Sequence, residues 1–205
     1  MKRMTMMWLV LGLLAPVWTF GGEDAAVVEP LQKEGMAMVR VGAVDEALAE
    51  RARLFAEENL HMRVEMLPPQ ELKGESLDDA GRSVSGLADR KYAGLIVLAA
   101  PEGTIGAHGV SLLEERVVVV NVKALEPQDG DGEKFGRRLE RAVMRSAGML
   151  MGLQACPNPQ CALWSYSTVE QLDETSRNFC PPCQEKFMEM MKEKNVTEYA
   201  APVVE

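Results

Sequence analysis

The residues of this chain with the most chemical potential are its four cysteines. They fall as Cys156-x4-Cys161 and Cys180-x2-Cys183, with eighteen residues between the pairs. Two close pairs across a short loop form the pattern of a tetrahedral four-thiolate zinc site. Each pair encloses prolines, Pro157 and Pro159 in the first and Pro181 and Pro182 in the second. Proline fixes φ and lowers the entropy lost when the ligands are ordered. With all four positions filled by protein, no water can be activated, so one structural zinc ion is expected. Two other readings use the same residues. In an exported chain the four could form two disulfides. Cys180-Pro-Pro-Cys183 could also be a redox pair, but such a motif opens a helix after the first strand of a βαβ unit, and here it lies late in the chain.

The histidines narrow the chemistry further. His61 and His108 are the only two, so a mechanism needing three imidazoles from one chain is excluded by counting. The formal net charge of -9, with no run of Lys and Arg to offset it, argues against nucleic acid and anionic lipid as partners.

The elements that must position these residues follow from periodicity. At the start, Lys2 and Arg3 precede an apolar stretch from Met6 to Pro16, and Thr19 and Gly21 suit the −3 and −1 positions of a signal peptidase site. Residues 1–21 are therefore expected to be a cleaved signal peptide, giving an exported protein, periplasmic or extracellular, with no stable membrane association after cleavage. Residues 22–34 suggest a linker, 35–194 a folded domain with its knuckles at 156–183, and 195–205 a flexible tail. Within the domain, strands are expected at 35–41, 61–67, 93–100 and 117–122. Pro68-Pro69 is expected to end the second, and 70–91 is expected to be irregular. A helix capped by Asp45 should run to about Asn59 with Leu48, Ala52 and Phe55 inward, and a long helix should run from about Glu133 to Gln154. A last, charged helix is expected over 184–194. The order indicates an α/β (α+β) domain, a twisted mixed sheet carrying helices.

The segment Arg145-Ser146-Ala147-Gly148-Met149-Leu150-Met151-Gly152-Leu153-Gln154-Ala155-Cys156-Pro157-Asn158-Pro159-Gln160-Cys161, followed by Phe179-Cys180-Pro181-Pro182-Cys183, resembles the archaemetzincins. That family of zinc metallopeptidases carries His-Glu-x-x-His-x-x-Gly-x-x-His-Cys-x4-Cys-x-Met and then Cys-x-x-Cys. Gly152 and the four cysteines match in register over about forty residues. The resemblance implies a small metzincin-like domain in which the long helix is a former active-site helix. It also implies that the catalytic positions are substituted. The two helical His correspond to Arg145 and Met149, the general-base Glu to Ser146, the third His to Ala155, and the Met below the metal to Leu163.

These substitutions decide what the resemblance implies for activity. Side chains at i and i+4 share a helix face and can bind one metal. A guanidinium does not give up its proton and cannot ligate a cation. A thioether alone is too soft to hold zinc, Ala155 has no donor, and Ser146 is no carboxylate base. The implied protein is a catalytically inactive member with one structural zinc at Cys156, Cys161, Cys180 and Cys183, binding a peptide or protein in the former substrate cleft. An active peptidase with a rearranged site and a thiol–disulfide protein using Cys180 and Cys183 are the competing readings. Arg145, facing the former metal cleft, could bind a carboxylate or a peptide C-terminus, but its plainest role is a salt bridge to a nearby Glu. Met144, Met149 and Met151 could line a peptide groove or copper site, but their plainest role is core packing.

Overall fold

The computed structural model describes residues 31–103 and 106–199. The expected signal peptide and most of the expected linker lie outside the described residues. Strand β1 (Gly35–Gly42) leads into helix α1 (Glu46–Leu60), and the Asp45 carboxylate accepts from the N–H of Leu48 as its N-cap. The side chains buried by α1 are Ala49, Ala52, Ala56 and Leu60. Leu48 and Phe55, expected inward, are only half-buried and pack at the margin of the core, because the face of the helix turned to it carries Ala49, Ala52, Ala56 and Leu60.

Strand β2 (Arg63–Gln70) continues through Pro68 and Pro69, which were expected to end it. It is an edge strand, and its outer side needs no N–H donor from proline. Helix α1 also caps that edge: Glu57 accepts from the Val64 N–H at 3.0 Å, and Arg53 donates to the Val64 carbonyl at 2.9 Å. Residues 70–91, expected to be irregular, hold helix α2 (Leu77–Val84). Its start is a capping box in which Ser76 and Asp79 exchange hydrogen bonds.

Strand β3 (Tyr92–Ala100) is buried throughout. Strand β4 (Gly109–Leu112) is a short addition to the expected set. It turns at Arg116 into β5 (Val117–Asn121), which is followed by the single turn α3 (Val122–Leu125). The sheet order is β2-β1-β3-β5-β4, parallel except for β4.

Alternation along the central strands divides the core. Met36, Met38, Ile96, Leu98, Val118 and Val120 face α1 and the long helix α4 (Gly132–Met151), while Ala37, Val39, Leu95, Val97 and Val119 face α2. Helix α4 stops at Met151, short of the expected Gln154. Gly152 adopts φ +94°, its N–H bonds the Met149 carbonyl, and the Leu153 N–H bonds that of Gly148. This is a Schellman stop that turns the chain toward Cys156.

Two helices complete the domain: α5 (Val169–Glu174), between the two cysteine pairs, and α6 (Pro181–Glu193), which opens three residues before its expected start with Pro181 in its first turn. The end of the described chain is fastened. Val196 pairs with Lys33 and is buried, and the Tyr199 N–H bonds the His61 carbonyl, so 195–199 does not behave as the expected flexible tail.

Candidate metal centre and the adjoining cleft

The turn at Gly152 delivers Cys156, whose N–H bonds the Leu163 carbonyl at 3.1 Å. The intervening chain folds back, with the Trp164 N–H on the Cys161 carbonyl at 2.9 Å. Cys180 is the N-cap of α6 and Cys183 lies in its first turn. Local turns on two segments thus carry four thiols to one point. All four Sγ atoms lie within 4.8 Å of one another. The Cys156–Cys180 sulfur separation is 3.8 Å, and the Cys180 N–H donates to Cys161 Sγ at 3.4 Å.

This geometry discriminates among the three readings of the cysteines. A disulfide holds its sulfurs about 2.05 Å apart, and all four thiols here are free. Zinc–sulfur bonds of about 2.3 Å place the corners of a tetrahedron about 3.8 Å apart. The separations suit one tetrahedral ion better than a single reactive pair beside two idle thiols. Cys161 and Cys180 are buried, while Cys156 and Cys183 are half-buried. Burial raises the thiol pKa of Cys161 and of Cys183. For Cys180 burial acts the same way, but hydrogen bonds from the Cys183 backbone and the neighbouring thiols overcome it, and its pKa is lowered. Crowded sulfurs share negative charge poorly, and a divalent cation relieves that repulsion. The donor set therefore fits one structural zinc ion, held by Cys156, Cys161, Cys180 and Cys183.

Beside this centre, α4 and the β4–β5 hairpin enclose a cleft of about 280 Å³. Arg145, Ser146 and Met149 all line it, and Ala155 is exposed outside it. Arg145 makes no salt bridge among the described residues; its Nη1 donates instead to the carbonyls of Leu163 and Trp164, each at 2.9 Å. The Ser146 hydroxyl is spent on the Ala142 carbonyl one turn back, at 2.7 Å. Met149 is half-buried, and its sulfur lies 3.9 Å from the Ser111 hydroxyl, so of the three methionines only Met144 and Met151 are core residues. Close packing here depends on Gly148. A Cβ at that position would lie 2.7 Å from Leu163 Cδ2 and 3.1 Å from Phe179 Cζ.

The cleft also contains residues that spacing did not assign to it. His108 enters it from the segment before β4, and its ring stacks on Tyr166 with centroids 5.5 Å apart. The Arg145 guanidinium lies 5.7 Å from the same Tyr166 ring. Burial lowers the His108 pKa below the usual imidazole value and raises that of the Tyr166 phenol. The sequence signal for β4 was only the alternation of Val110 and Leu112 before a polar turn, and nothing in the spacing marked Tyr166. His61 lies elsewhere, at the end of α1 with φ +52°.

Comparison with known proteins agrees with this geometry. Residues 103–189 match the model of peptidase family M54. The chain is 33% identical over 60 residues to an archaemetzincin of Pyrobaculum aerophilum, covering 29% of this chain and 39% of that protein. It is 29% identical over 84 residues to an archaemetzincin of Thermococcus kodakarensis, covering 39% of this chain and 45% of the relative. These matches thus span less than half the length of either relative. The fold aligns over more of the chain. The crystal structure of archaemetzincin from Methanopyrus kandleri superposes with a TM-score of 0.62 at 20% identity, covering 78% of this chain and 96% of that one. A zinc-dependent peptidase from Methanocorpusculum labreanum superposes with a TM-score of 0.64 at 15% identity, covering 75% of this chain and all of the other. By the match over its cysteine-bearing segment the chain is archaemetzincin-like, similar to peptidase family M54, and its mixed α/β fold is that of the archaemetzincin structures.

Proposed function

We propose that this is an exported, catalytically silent archaemetzincin-like protein that retains one structural zinc and uses its cleft to bind a peptide or protein. The observation that carries the reading is the pair Arg145 and Met149, one turn apart on α4 and both lining the cleft. In the family motif quoted above, those positions belong to metal-binding imidazoles. Here one is a permanent cation whose Nη1 is committed to two backbone carbonyls. The other is a thioether. Ser146, at the position of the general base, directs its hydroxyl into its own helix. The cleft-lining residues include one imidazole, His108, and no carboxylate.

Elemental analysis and peptidase assays on the purified protein test this. One zinc per chain with no hydrolysis supports the reading. Two zinc ions per chain, or EDTA-sensitive hydrolysis of an unstructured protein substrate that an Arg145→Gln change alters, sinks it in favour of a rearranged active site. Export belongs to the same proposal and rests on the residue pattern of 1–21. Among the described residues no helix is long and apolar enough to cross a membrane. Cell fractionation with sequencing of the mature N-terminus checks it; a mature chain that keeps Met1 and stays in the cytoplasm contradicts export.

A further inference from the structure

The cleft has a charge imbalance that its own residues do not resolve. Arg145 is half-buried, and both of its hydrogen bonds to described residues leave from Nη1. Its Nε and Nη2 have no hydrogen-bond partner among the described residues, yet neither is sealed from solvent. These are the two donors of a guanidinium that form a parallel fork onto a carboxylate. Three arginines around the same core are paired with acids, Arg51 with Glu133 and Glu140, Arg138 with Asp173, and Arg177 with Glu140, while Arg141 donates its Nε and Nη2 to the carbonyls of Thr175 and Asp173. In a chain of net charge -9, the cleft around Arg145 is lined by no acidic residue.

The surroundings hold that fork in place. The two carbonyl bonds fix one end of the guanidinium, whose Cζ lies over the Tyr166 ring, 5.7 Å from its centroid. A pre-positioned guanidinium loses little freedom when it binds, so more of the interaction appears as affinity. The volume of about 280 Å³ lies at the bottom of the usual range for ligand pockets and suits the last one or two residues of a chain. Val118, Val120 and Met149 supply apolar wall for a side chain, and Ser111 and His108 supply polar groups.

From this we propose that the cleft recognises a carboxylate on its peptide ligand, held by Nε and Nη2 of Arg145. The inference rests on the peptide-binding reading above and specifies what that peptide must carry.

The test uses the full-length, zinc-loaded protein and calorimetric titration with acetylated tetrapeptide pools. One pool has free C-termini, a second is amidated, and a third is amidated but ends in Asp. The free-acid pool is expected to bind at least about tenfold more tightly than the plain amide pool, the scale of one charge-assisted pair. Binding by the Asp-amide pool supports a side-chain carboxylate as the source, and its failure supports the C-terminus. Arg145→Gln should abolish the preference and Arg145→Lys should restore part of it, with thermal melting to confirm that both variants fold. Equal binding of free-acid and plain amide pools to the wild type overturns the carboxylate inference and leaves peptide binding intact. So does a preference that survives in a folded Arg145→Gln protein. Binding of no pool overturns both.

Discussion

Nη1 of Arg145 donates to the carbonyl oxygen of Leu163 at 2.9 Å, joining α4 to the segment that leaves Cys161. The Leu163 carbonyl also accepts from the Cys156 N–H at 3.1 Å. One backbone oxygen therefore links the cleft arginine to the metal knuckle, and the two sites share their mechanical support.

Loss of one thiol should empty the metal centre. Cys161→Ser and Cys180→Ser remove buried ligands of a site whose four sulfurs lie within 4.8 Å. Zinc content should fall from one equivalent per chain to near none, and the melting temperature should fall by roughly 2–4 °C for each kcal/mol of stability lost. Unchanged zinc content by elemental analysis would show that the ion binds elsewhere.

Gly152→Ala should destabilise the domain by about 1–2 kcal/mol. The added Cβ meets nothing within 4 Å, so the cost comes from holding φ near +94°. Gly152→Asn should cost less, since Asn tolerates that region better. Chemical denaturation of the three proteins compares them directly; equal midpoints would refute the strain argument.

Arg138 and Asp173 should make stability fall in acid. Burial alone would raise the Asp173 pKa, but hydrogen bonds and charge from Arg138, with help from Lys134 and Arg141, hold it below the usual carboxylate value. A carboxyl with a depressed folded pKa contributes stability above its unfolded pKa of about 3.9 and loses it as pH falls through the folded value. The stability gap between wild type and Arg138→Met should therefore be full at pH 6 and shrink below about pH 4. A gap independent of pH over that interval would mean that the ion pair contributes only packing.

Truncation after Lys194 should cost about 2 kcal/mol or more. It removes the buried Val196 and the hydrogen bonds from the Thr197 N–H to Lys33 and from the Tyr199 N–H to His61. Hydrogen exchange should show faster opening around Lys33 and His61. Unaltered protection there would restore the view of 195–199 as a loose tail.

Much of this molecule was legible along the chain because its signals are local. The buried runs of β3 and β5, the Asp45 cap and the long amphipathic α4 follow from period and capping, which depend on neighbours a few residues apart. The cysteine spacing implied one metal site, and the short turns of each knuckle required only local geometry. Helix α2 was not legible although Ser76 and Asp79 form a capping box, because Gly74, Gly81 and Gly86 interrupt the period. Passage of β2 through Pro68 and Pro69 depended on β2 being an edge strand, which sheet order decides. The cleft depended on tertiary structure most of all. Residue types alone ruled out Arg145 as a metal ligand, but only packing gave it two carbonyls in place of a Glu. Only the β4–β5 hairpin brought His108 to the cleft and into stacking contact with Tyr166, 58 residues away in sequence. A contact over that separation is set by how the sheet and α4 bury their apolar faces together, which no local pattern encodes.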